Sequence, residues 1–470
     1  MPSICPLELP EILQSVANQT SERSLPACAL VSKAWYQVFN PHLWKDINLS
    51  EKRPNPPEAI QRHCHLVRTL EITCQPKQEH AALRFPNLAS LTVKNSLQDL
   101  DITQLVTEHS TLSRLDLNFI KSGLQPSLPL WKKLLELRNL KDLSISNISI
   151  GEKNINAFWQ LCTQLERLEC YWISIPHRGL LSSMEFPRMK EINLWEEIPV
   201  YLELMRRCTG LEILTWSSWE GLDGGFVPGF VQLASSGTWP ELESLTLFPF
   251  AITNEETFKI ISSMRRITLL SIDGKGSLFA ADTIVQLRPH FHSIRELDLA
   301  FNRGLTSAMA QEILSSCPLL VKFSVPQLKA IDVAEGNPWV CFGIQELSAC
   351  IYFDPATIKE VQPLVLDQLS RLTRLEELKL GHPTEAVFQK AMDLRLESGL
   401  GKLSTLRRLR YIRFTNTRQK MGEKEIEWIL EHWTSLEEIL GVLNPYNPGI
   451  CKALMERLES HGISIQTRFQ

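Results

Sequence analysis

Three features that would point to particular protein classes are missing from the sequence. No run of apolar residues approaches the ~18 to 20 that a membrane-spanning helix needs. The 11 cysteines are scattered and include no Cys-x-x-Cys pair, unlike the cysteines of small secreted disulfide scaffolds. The 49 basic residues nearly balance the 53 acidic ones, so the net charge of −4 gives no broad attraction to nucleic acid or to a membrane surface.

The N-terminus also lacks the signals that direct a chain out of the cell. No basic segment followed by an apolar run and a small-residue cleavage site is present. The unpaired cysteines are typical of thiols in a reducing compartment. We therefore expect a cytoplasmic or nuclear protein, or one found in both places.

Length and composition narrow the architecture. A single compact core usually stops growing at ~250 to 300 residues, so a chain of 470 residues must split into domains or extend as a repeat. Hydrophobic residues make up 44% and charged residues 22%, which is ordinary for folded proteins and excludes intrinsic disorder. The sequence therefore predicts a globular or solenoidal protein.

A repeat of about 26 residues runs through most of the chain. Its signature is apolar-x-x-apolar-x-apolar, and the last two apolar positions flank a polar one, as in a short strand with one buried face. Fifteen copies share it: Val67-Leu70-Ile72, Leu88-Leu91-Val93, Leu112-Leu115-Leu117, Leu140-Leu143-Ile145, Leu165-Leu168-Cys170, Met189-Ile192-Leu194, Leu211-Leu214-Trp216, Leu242-Leu245-Leu247, Ile267-Leu270-Ile272, Ile294-Leu297-Leu299, Leu320-Phe323-Val325, Ile344-Leu347-Ala349, Leu375-Leu378-Leu380, Leu409-Ile412-Phe414 and a weaker Leu436-Ile439. Helical spacing fills the intervals, so each unit is one strand and one helix.

This period lies within the ~20 to 29 residues of leucine-rich repeats. It predicts an α/β fold, a solenoid of about 14 to 15 repeats with parallel strands on the concave side and helices outside. Several helices end just before the next strand at Cys-Pro or Cys-Thr, which resembles the cysteine-containing class of leucine-rich repeats. The resemblance places Cys162, Cys208 and Cys317 at one position of the buried core, and we expect no metal and no cofactor.

Residues 1–50 do not follow the repeat. A stripe of apolar side chains predicts a first helix over 9–18; its members are Leu9, Ile12, Leu13 and Val16. Ser24 can cap a second helix, whose apolar stripe runs from Leu25 to Phe39 before Asn40-Pro41 ends it. A short strand-like segment, 46–49, follows.

The N-terminal segment resembles the F-box. The first half of the family pattern is matched by Leu9, Pro10, Glu11, Ile12, Leu13 and Val16, and the second half by Leu25, Val31, Trp35, Leu43 and Trp44. Pro6 to Leu9 offers a second register for the first half. The resemblance implies that an adaptor protein binds Leu9, Pro10, Glu11, Ile12, Leu13, Val16, Leu25, Val31, Trp35 and Trp44. The alternative is a helical cap that covers the apolar end of the solenoid.

An F-box followed by leucine-rich repeats resembles the substrate-receptor subunits of Skp/cullin/F-box ubiquitin ligases. Together with Met421-Gly422 and His432-Trp433, the chain is similar to the F-box-like repeat families of fungi. The resemblance implies that residues 1–50 dock a Skp-type adaptor, and through it a cullin, while residues 51–470 bind a protein substrate. No His-Glu-x-x-His or Gly-x-Ser-x-Gly motif is present, and we expect no enzyme activity. A scaffold without a cullin and a regulator of a small GTPase stay open as alternatives.

The sequence offers two candidate substrate surfaces, and the first of them follows from the repeat. Residues just after consecutive predicted strands project from one face of a sheet whose strands lie ~4.8 Å apart. Aromatic side chains occupy those positions at Tyr171, Trp172, Trp195, Trp219 and Phe248. They form a candidate binding surface, unless the rings turn into the core or residues 220–238 cover them. The run from Lys402 to Lys420 holds no acidic residue and is a solvated face, a site for an acidic or phosphorylated peptide or, as a third alternative, a site for nucleic acid.

Overall fold

The computed structural model divides the chain into two compact units, Met1–Leu211 and Glu212–Gln470. Each unit consists of short parallel strands with helices between them, and within each unit the regularly spaced apolar residues are buried. The residues that the structure describes are 9–21, 23–50, 56–73, 83–94, 99–119, 126–176, 184–196, 199–217, 226–248, 252–272, 279–302, 304–381, 391–415, 417 and 419–467.

The first unit begins with three helices, α1 (Pro10–Gln19), α2 (Leu25–Ala29) and α3 (Lys33–Lys45). Its described strands are β1 (Asp46–Leu49), β2 (Thr69–Ile72), β3 (Ser90–Lys94), β4 (Arg114–Asn118), β5 (Asp142–Ser146), β6 (Arg167–Tyr171) and β7 (Glu191–Trp195). The helices among and after them are α4 (Pro57–His63), α5 (Asp99–Glu108), α6 (Leu128–Glu136), α7 (Ile155–Cys162) and α8 (Pro199–Arg206).

The leucine positions set the strand register in the first unit. Each strand pairs parallel with the next so that equivalent positions face one another, as in Leu70 with Leu91 and Leu91 with Leu115. These side chains are buried, while the residues between them lie on the opposite, more exposed face. A slip of one residue would turn every buried side chain toward solvent, so the apolar pattern specifies the register.

The second unit continues the same alternation. Its described strands are β8 (Ile213–Ser217), β9 (Ser244–Phe248), β10 (Leu269–Ile272), β11 (Glu296–Asp298), β12 (Lys322–Lys329), β13 (Glu346–Tyr352), β14 (Glu377–Lys379), β15 (Tyr411–Arg413), β16 (Glu438–Leu440) and β17 (Ser464–Gln466). The helices are α9 (Phe226–Ser235), α10 (Asn254–Ser263), α11 (Ala281–Leu287), α12 (Ser307–Ser316), α13 (Ala330–Glu335), α14 (Ile358–Ser370), α15 (Glu423–His432) and α16 (Pro448–Ser460). Short 3-10 helices lie at Arg288–His290, Leu396–Ser398 and Leu400–Thr405.

One pair of strands in the second unit departs from the regular ladder. β12 and β13 pair over more residues than their neighbours do, and their register shifts between Val325 and Gln327. Pro326 lies at that point and has no N–H to donate to the ladder. The irregularity therefore follows from the proline.

All fifteen predicted strand segments coincide with strands, β2 to β16, which confirms the α/β leucine-rich-repeat fold. Residues 1–50 do contain one further copy, contrary to the prediction: Trp44, Ile47 and Leu49 carry the signature, and Ile47 pairs with Leu70. β17 was not predicted, because only one of the three signature positions is apolar: Ile465 pairs with Ile439, while Gly462 and Thr467 occupy the other two. A domain boundary at residue 50 stays a prediction.

The second N-terminal helix was predicted wrongly. In place of one helix ending at Asn40-Pro41, the structure has α2 and α3, and α3 continues through Pro41 to Lys45. A proline inside a helix removes one backbone hydrogen bond, which does not prevent the helix from continuing here. No helix in the described part of the chain has the length and apolar character of a membrane span.

Candidate protein-binding surfaces

Local sequence signals divide the N-terminal segment into three helices. Pro10 occupies the first position of α1, where its missing N–H would have had no partner within the helix. Ser32 caps α3, because its side-chain oxygen accepts a hydrogen bond from the backbone N–H of Trp35 at 3.3 Å. The break between α2 and α3 therefore has a defined cause.

A small core holds these helices together. Its buried members are Leu13, Ala17, Leu25, Ala29 and Phe39. Around them pack half-buried side chains, among which Trp35 stacks on Phe39 with ring centroids 5.0 Å apart. A core this small tolerates little loss of apolar volume, since each buried side chain makes up a large share of it.

Large apolar side chains are concentrated on the surface of the same helices and of the short segments next to them. The described part of the chain has fifteen exposed large apolar residues, and five of them fall within residues 9–36. This N-terminal apolar set consists of Leu9, Ile12, Leu30, Val31 and Tyr36. Leu30 is 86% exposed and Val31 62% exposed. Exposed apolar groups at this density are typical of a surface that another protein covers.

Three of the predicted substrate-binding aromatics lie together in the first unit. The ring centroids of Tyr171 and Trp195 are 5.4 Å apart, and those of Trp172 and Trp195 are 6.0 Å apart. Trp172 is 45% exposed and the other two are half-buried, so these rings do not turn into the core. Phe248 is exposed at the end of β9, in the second unit. Trp219 lies outside the described residues.

The backbone just after β5, β6 and β7 takes an unusual conformation. Asn147, Trp172 and Glu196 have φ values of 58°, 48° and 95°. Asparagine tolerates this left-handed region, whereas a bulky residue such as tryptophan rarely adopts it. Strain of this kind costs about 1–3 kcal/mol and is concentrated at functional sites in proteins. Ile173, the residue after Trp172, is buried. The left-handed conformation at Trp172 therefore lies where the chain passes from an exposed ring to a core side chain.

Carboxylates lie beside the aromatic group, which consists of Tyr171, Trp172 and Trp195. Burial, and then the charge of Glu169, raises the pKa of Asp116. Burial and Glu169 likewise raise the pKa of Tyr171 to about 12, which keeps its hydroxyl neutral at physiological pH. This hydroxyl accepts a hydrogen bond from Asn193 Nδ2 at 2.9 Å. Arg167 forms ion pairs with Glu169 and Glu191. The surface is thus aromatic at one end and largely acidic beside it.

The N-terminal helices match a known family. The F-box-like family model covers residues 10–50, which include α1, α2, α3 and β1. Residues 10–50 form an F-box-like domain. No curated protein sequence matches the chain significantly.

Three solved structures align with most of the chain at low sequence identity and low TM-score. The Rad7 and Elc1 complex of yeast is 13% identical over 92% of this chain and 88% of that chain, with a TM-score of 0.43. The mouse RP105/MD-1 complex is 13% identical over 90% of this chain and 69% of that chain, with a TM-score of 0.46. The plant peptide hormone receptor RGFR1, in complex with RGF2, is 16% identical over 86% of this chain, with a TM-score of 0.36. The chain spans 60% of that receptor's length.

The ten predicted adaptor-binding residues of the F-box-like domain divide by exposure. Leu9, Pro10, Glu11, Ile12 and Val31 are exposed, Val16, Trp35 and Trp44 are half-buried, and Leu13 and Leu25 are buried. The two buried side chains hold the helices together and offer no surface while the domain is packed. The sequence prediction omitted Leu30, which is more exposed than any other large apolar residue in the described part of the chain. Its sequence signal was an apolar residue two positions before Ser32, which caps α3.

The cysteines at the ends of repeat helices are core residues, as predicted. Cys162, Cys208 and Cys317 are fully buried free thiols. Burial raises the pKa of the Cys162 thiol well above its ordinary value. Among the described residues, no group of three or more His, Cys, Asp or Glu side chains is placed to hold a metal ion. Cys74, part of a His- and Cys-containing stretch near residue 64, lies outside the described residues.

Removal of metal should leave the protein folded. We expect the thermal midpoint of the purified chain to be unchanged by a chelator such as EDTA, because the thiols at the ends of the repeat helices are buried among apolar side chains. Differential scanning calorimetry with and without the chelator measures this. Stoichiometric zinc that is lost together with thermal stability would contradict it.

The basic run from 402 to 420 is partly neutralised by the chain itself. Lys402 Nζ lies 2.7 Å from Asp367, and Arg410 lies 2.8 Å from Glu437. Burial lowers the pKa of Arg413. Arg418 lies outside the described residues. These contacts favour a solvated, self-paired face over a site for an acidic peptide.

Proposed function

We propose that this protein is the substrate-recognition subunit of an SCF-type (Skp/cullin/F-box) ubiquitin ligase. In this role the F-box-like domain docks a Skp-type adaptor, and through it a cullin, while the repeats of residues 51–470 bind a protein substrate. The protein has no active site of its own and acts by bringing the substrate to the ligase. Its place of action is the cytoplasm, the nucleus or both.

The observation that carries the proposal is the F-box-like domain and its N-terminal apolar set. Three helices close over five buried side chains, yet leave Leu30, Val31 and Ile12 in solvent. Exposed apolar groups gain stability when a partner covers them, at roughly 25 cal/mol for each Å² removed from water. An adaptor with an apolar groove would cover these side chains.

The proposal is tested by mixing the purified full-length chain with a Skp-type adaptor. A stoichiometric complex in size-exclusion chromatography is expected. If the chain elutes separately from the adaptor at micromolar concentrations, the remaining candidate functions are a scaffold without a cullin and a regulator of a small GTPase. Stimulated GTP hydrolysis by a small GTPase would identify the regulator.

We also propose that the aromatic group of Tyr171, Trp172 and Trp195 contacts the substrate. Its support is an exposed tryptophan beside two further rings, a combination that is frequent at the centres of protein interfaces. The left-handed backbone at Trp172 is further support, since a conformation that costs energy needs a compensating use.

Replacing both Trp172 and Trp195 by alanine should weaken substrate capture by about 2 kcal/mol or more, the size of a hot-spot loss. The measurement is cross-linking capture with full-length protein, comparing partners retained by the parent chain with those retained by the variant. Phe301→Ala is the matched control, because it removes an aromatic ring that is 50% exposed outside this group. An unchanged set of captured proteins in the double variant would exclude the aromatic group.

A further inference from the structure

A concavity of about 270 Å³ opens on the strand face of the second unit. It is lined by residues of β9 to β13, chiefly those on the more exposed face of these strands. Pockets for whole small-molecule ligands measure ~300 to 1,000 Å³, so this one suits a single side chain. The sequence patterns did not predict it, because its residues are the polar ones between the leucines.

Strand register explains why the concavity exists. Asp298 is flanked by Ser271 on β10 and by Ser324 on β12, and Thr246 lies beyond Ser271. Adjacent strands are ~4.8 Å apart, so these short side chains leave open space on both sides of the carboxylate. The neighbouring row carries longer side chains, Leu269, Glu296, Lys322 and Glu346, which form the wall.

The lining carries excess negative charge. Lys322 Nζ lies 2.9 Å from Glu346 Oε1, which neutralises one carboxylate. Among the residues that the structure describes, neither Glu296 nor Asp298 forms an ion pair. The hydrogen-bond donor to Asp298 is uncharged: the backbone N–H of Ala300 donates to its carboxylate at 3.2 Å. Two carboxylates therefore lack a cation at contact distance.

Asp298 is exposed at the concavity, and partial desolvation of its carboxylate raises its pKa. Lys379 acts in the opposite direction through its charge, but it pairs with Glu377 at 2.8 Å. A cation placed over Ser271 or Ser324 would favour the ionised carboxylate. Leu269 would contact the methylene groups of a long basic side chain, which carry apolar surface of their own.

We propose that this concavity receives an arginine or lysine side chain of the protein substrate, with Asp298 and Glu296 binding its charged group and Leu269 its aliphatic stem. The proposal rests on the function proposed above, because it assigns one element of the substrate that the repeats would bind. It names a basic side chain in a partner protein as the occupant, because both the size and the charge of the concavity fit one.

The test uses Nα-acetyl-arginine methylamide as probe and its neutral isostere, Nα-acetyl-citrulline methylamide, as matched ligand. Ligand-observed NMR titration of the full-length chain should give about ten-fold or more tighter binding of the arginine compound, the size expected for hydrogen bonds to a charged group. The lysine analogue should also bind better than citrulline. Equal binding of arginine and citrulline, or no binding of either, would overturn the proposal.

Two variants locate the effect. Asp298→Asn keeps the shape and removes the charge, and should abolish the preference for arginine. Ser324→Phe keeps the charge and fills the space, and should also abolish it. Asp282→Asn, an exposed carboxylate on α11, is the control for net charge and should keep the preference. A preference that survives Asp298→Asn would show that the arginine binds elsewhere.

Failure here is distinguishable from failure of the proposed function. The Asp298→Asn chain should still form a complex with the Skp-type adaptor, because the F-box-like domain is untouched. If the adaptor binds and arginine shows no preference, only the assignment of the concavity fails. If arginine binds as expected and the adaptor does not, the basic-side-chain site stands and the ligase role fails.

Discussion

Ile12→Asp and Val31→Asp are each expected to weaken binding of a Skp-type adaptor by about 30-fold or more, which corresponds to the ~2 kcal/mol of an interface hot spot. Both side chains are exposed, so the substitutions place a charge on the proposed docking surface without opening a cavity in the core. Isothermal titration calorimetry with the full-length chain measures the loss. Circular dichroism should show an unchanged helical signal.

Two further variants separate contact from folding. Leu364→Asp changes an equally apolar side chain that is 48% exposed on α14, and should bind the adaptor normally. Leu13→Ala, next to Ile12 in the chain but only 1% exposed, should lower adaptor binding by destabilising the three helices, with a weaker helical signal. Normal binding by both Ile12→Asp and Val31→Asp would remove the docking surface from consideration.

Trp159→Ala should lower the free energy of unfolding by about 3–5 kcal/mol, the range for truncating a large aromatic core side chain. Its ring is fully buried in α7, 4.7 Å from the ring of Phe158 and 6.3 Å from that of Phe186 by centroids. Urea denaturation measures the change. Because repeat proteins can open locally, limited proteolysis near the substituted repeat is a second measurement.

Trp172→Ala is the matched control for that substitution. It removes the same ring from a side chain that is 45% exposed and follows β6 directly, and should change the unfolding free energy by less than about 1 kcal/mol. A loss as large as that of Trp159→Ala would mean that Trp172 supports the core. Its proposed part in substrate binding would then need another explanation.

The N-terminal segment illustrates how far sequence reasoning reached. The helical stripe of Leu9, Ile12, Leu13 and Val16 predicted α1 within one residue at each end. It did not separate Ile12, which is exposed, from Leu13, which is buried, because both fall on the same broad apolar stripe. The second stripe concealed the break before Ser32, since the cap at Ser32 does not interrupt the apolar spacing.

The candidate surfaces show the same division between what the pattern fixes and what it leaves open. The positions of Tyr171, Trp172 and Trp195 just after their predicted strands followed from the repeat. Whether a ring at such a position is buried or exposed depends on the backbone angle at that residue, and the left-handed conformation at Trp172 has no sequence signal in a tryptophan. The same holds for the concavity at Asp298, whose size depends on the side chains of neighbouring strands.

The sequence by itself determined the strand positions, their register, the repeat of strand and helix, and the likeness of residues 10–50 to the F-box, because these depend on the spacing of apolar residues along the chain. Only the tertiary structure decided which apolar side chains of the N-terminal helices are exposed, which tryptophans are buried, and which polar residues share one concavity. The first of these properties depends on how the three helices pack, and the other two on residues that lie about 25 positions apart in the chain and become neighbours only when the strands pair.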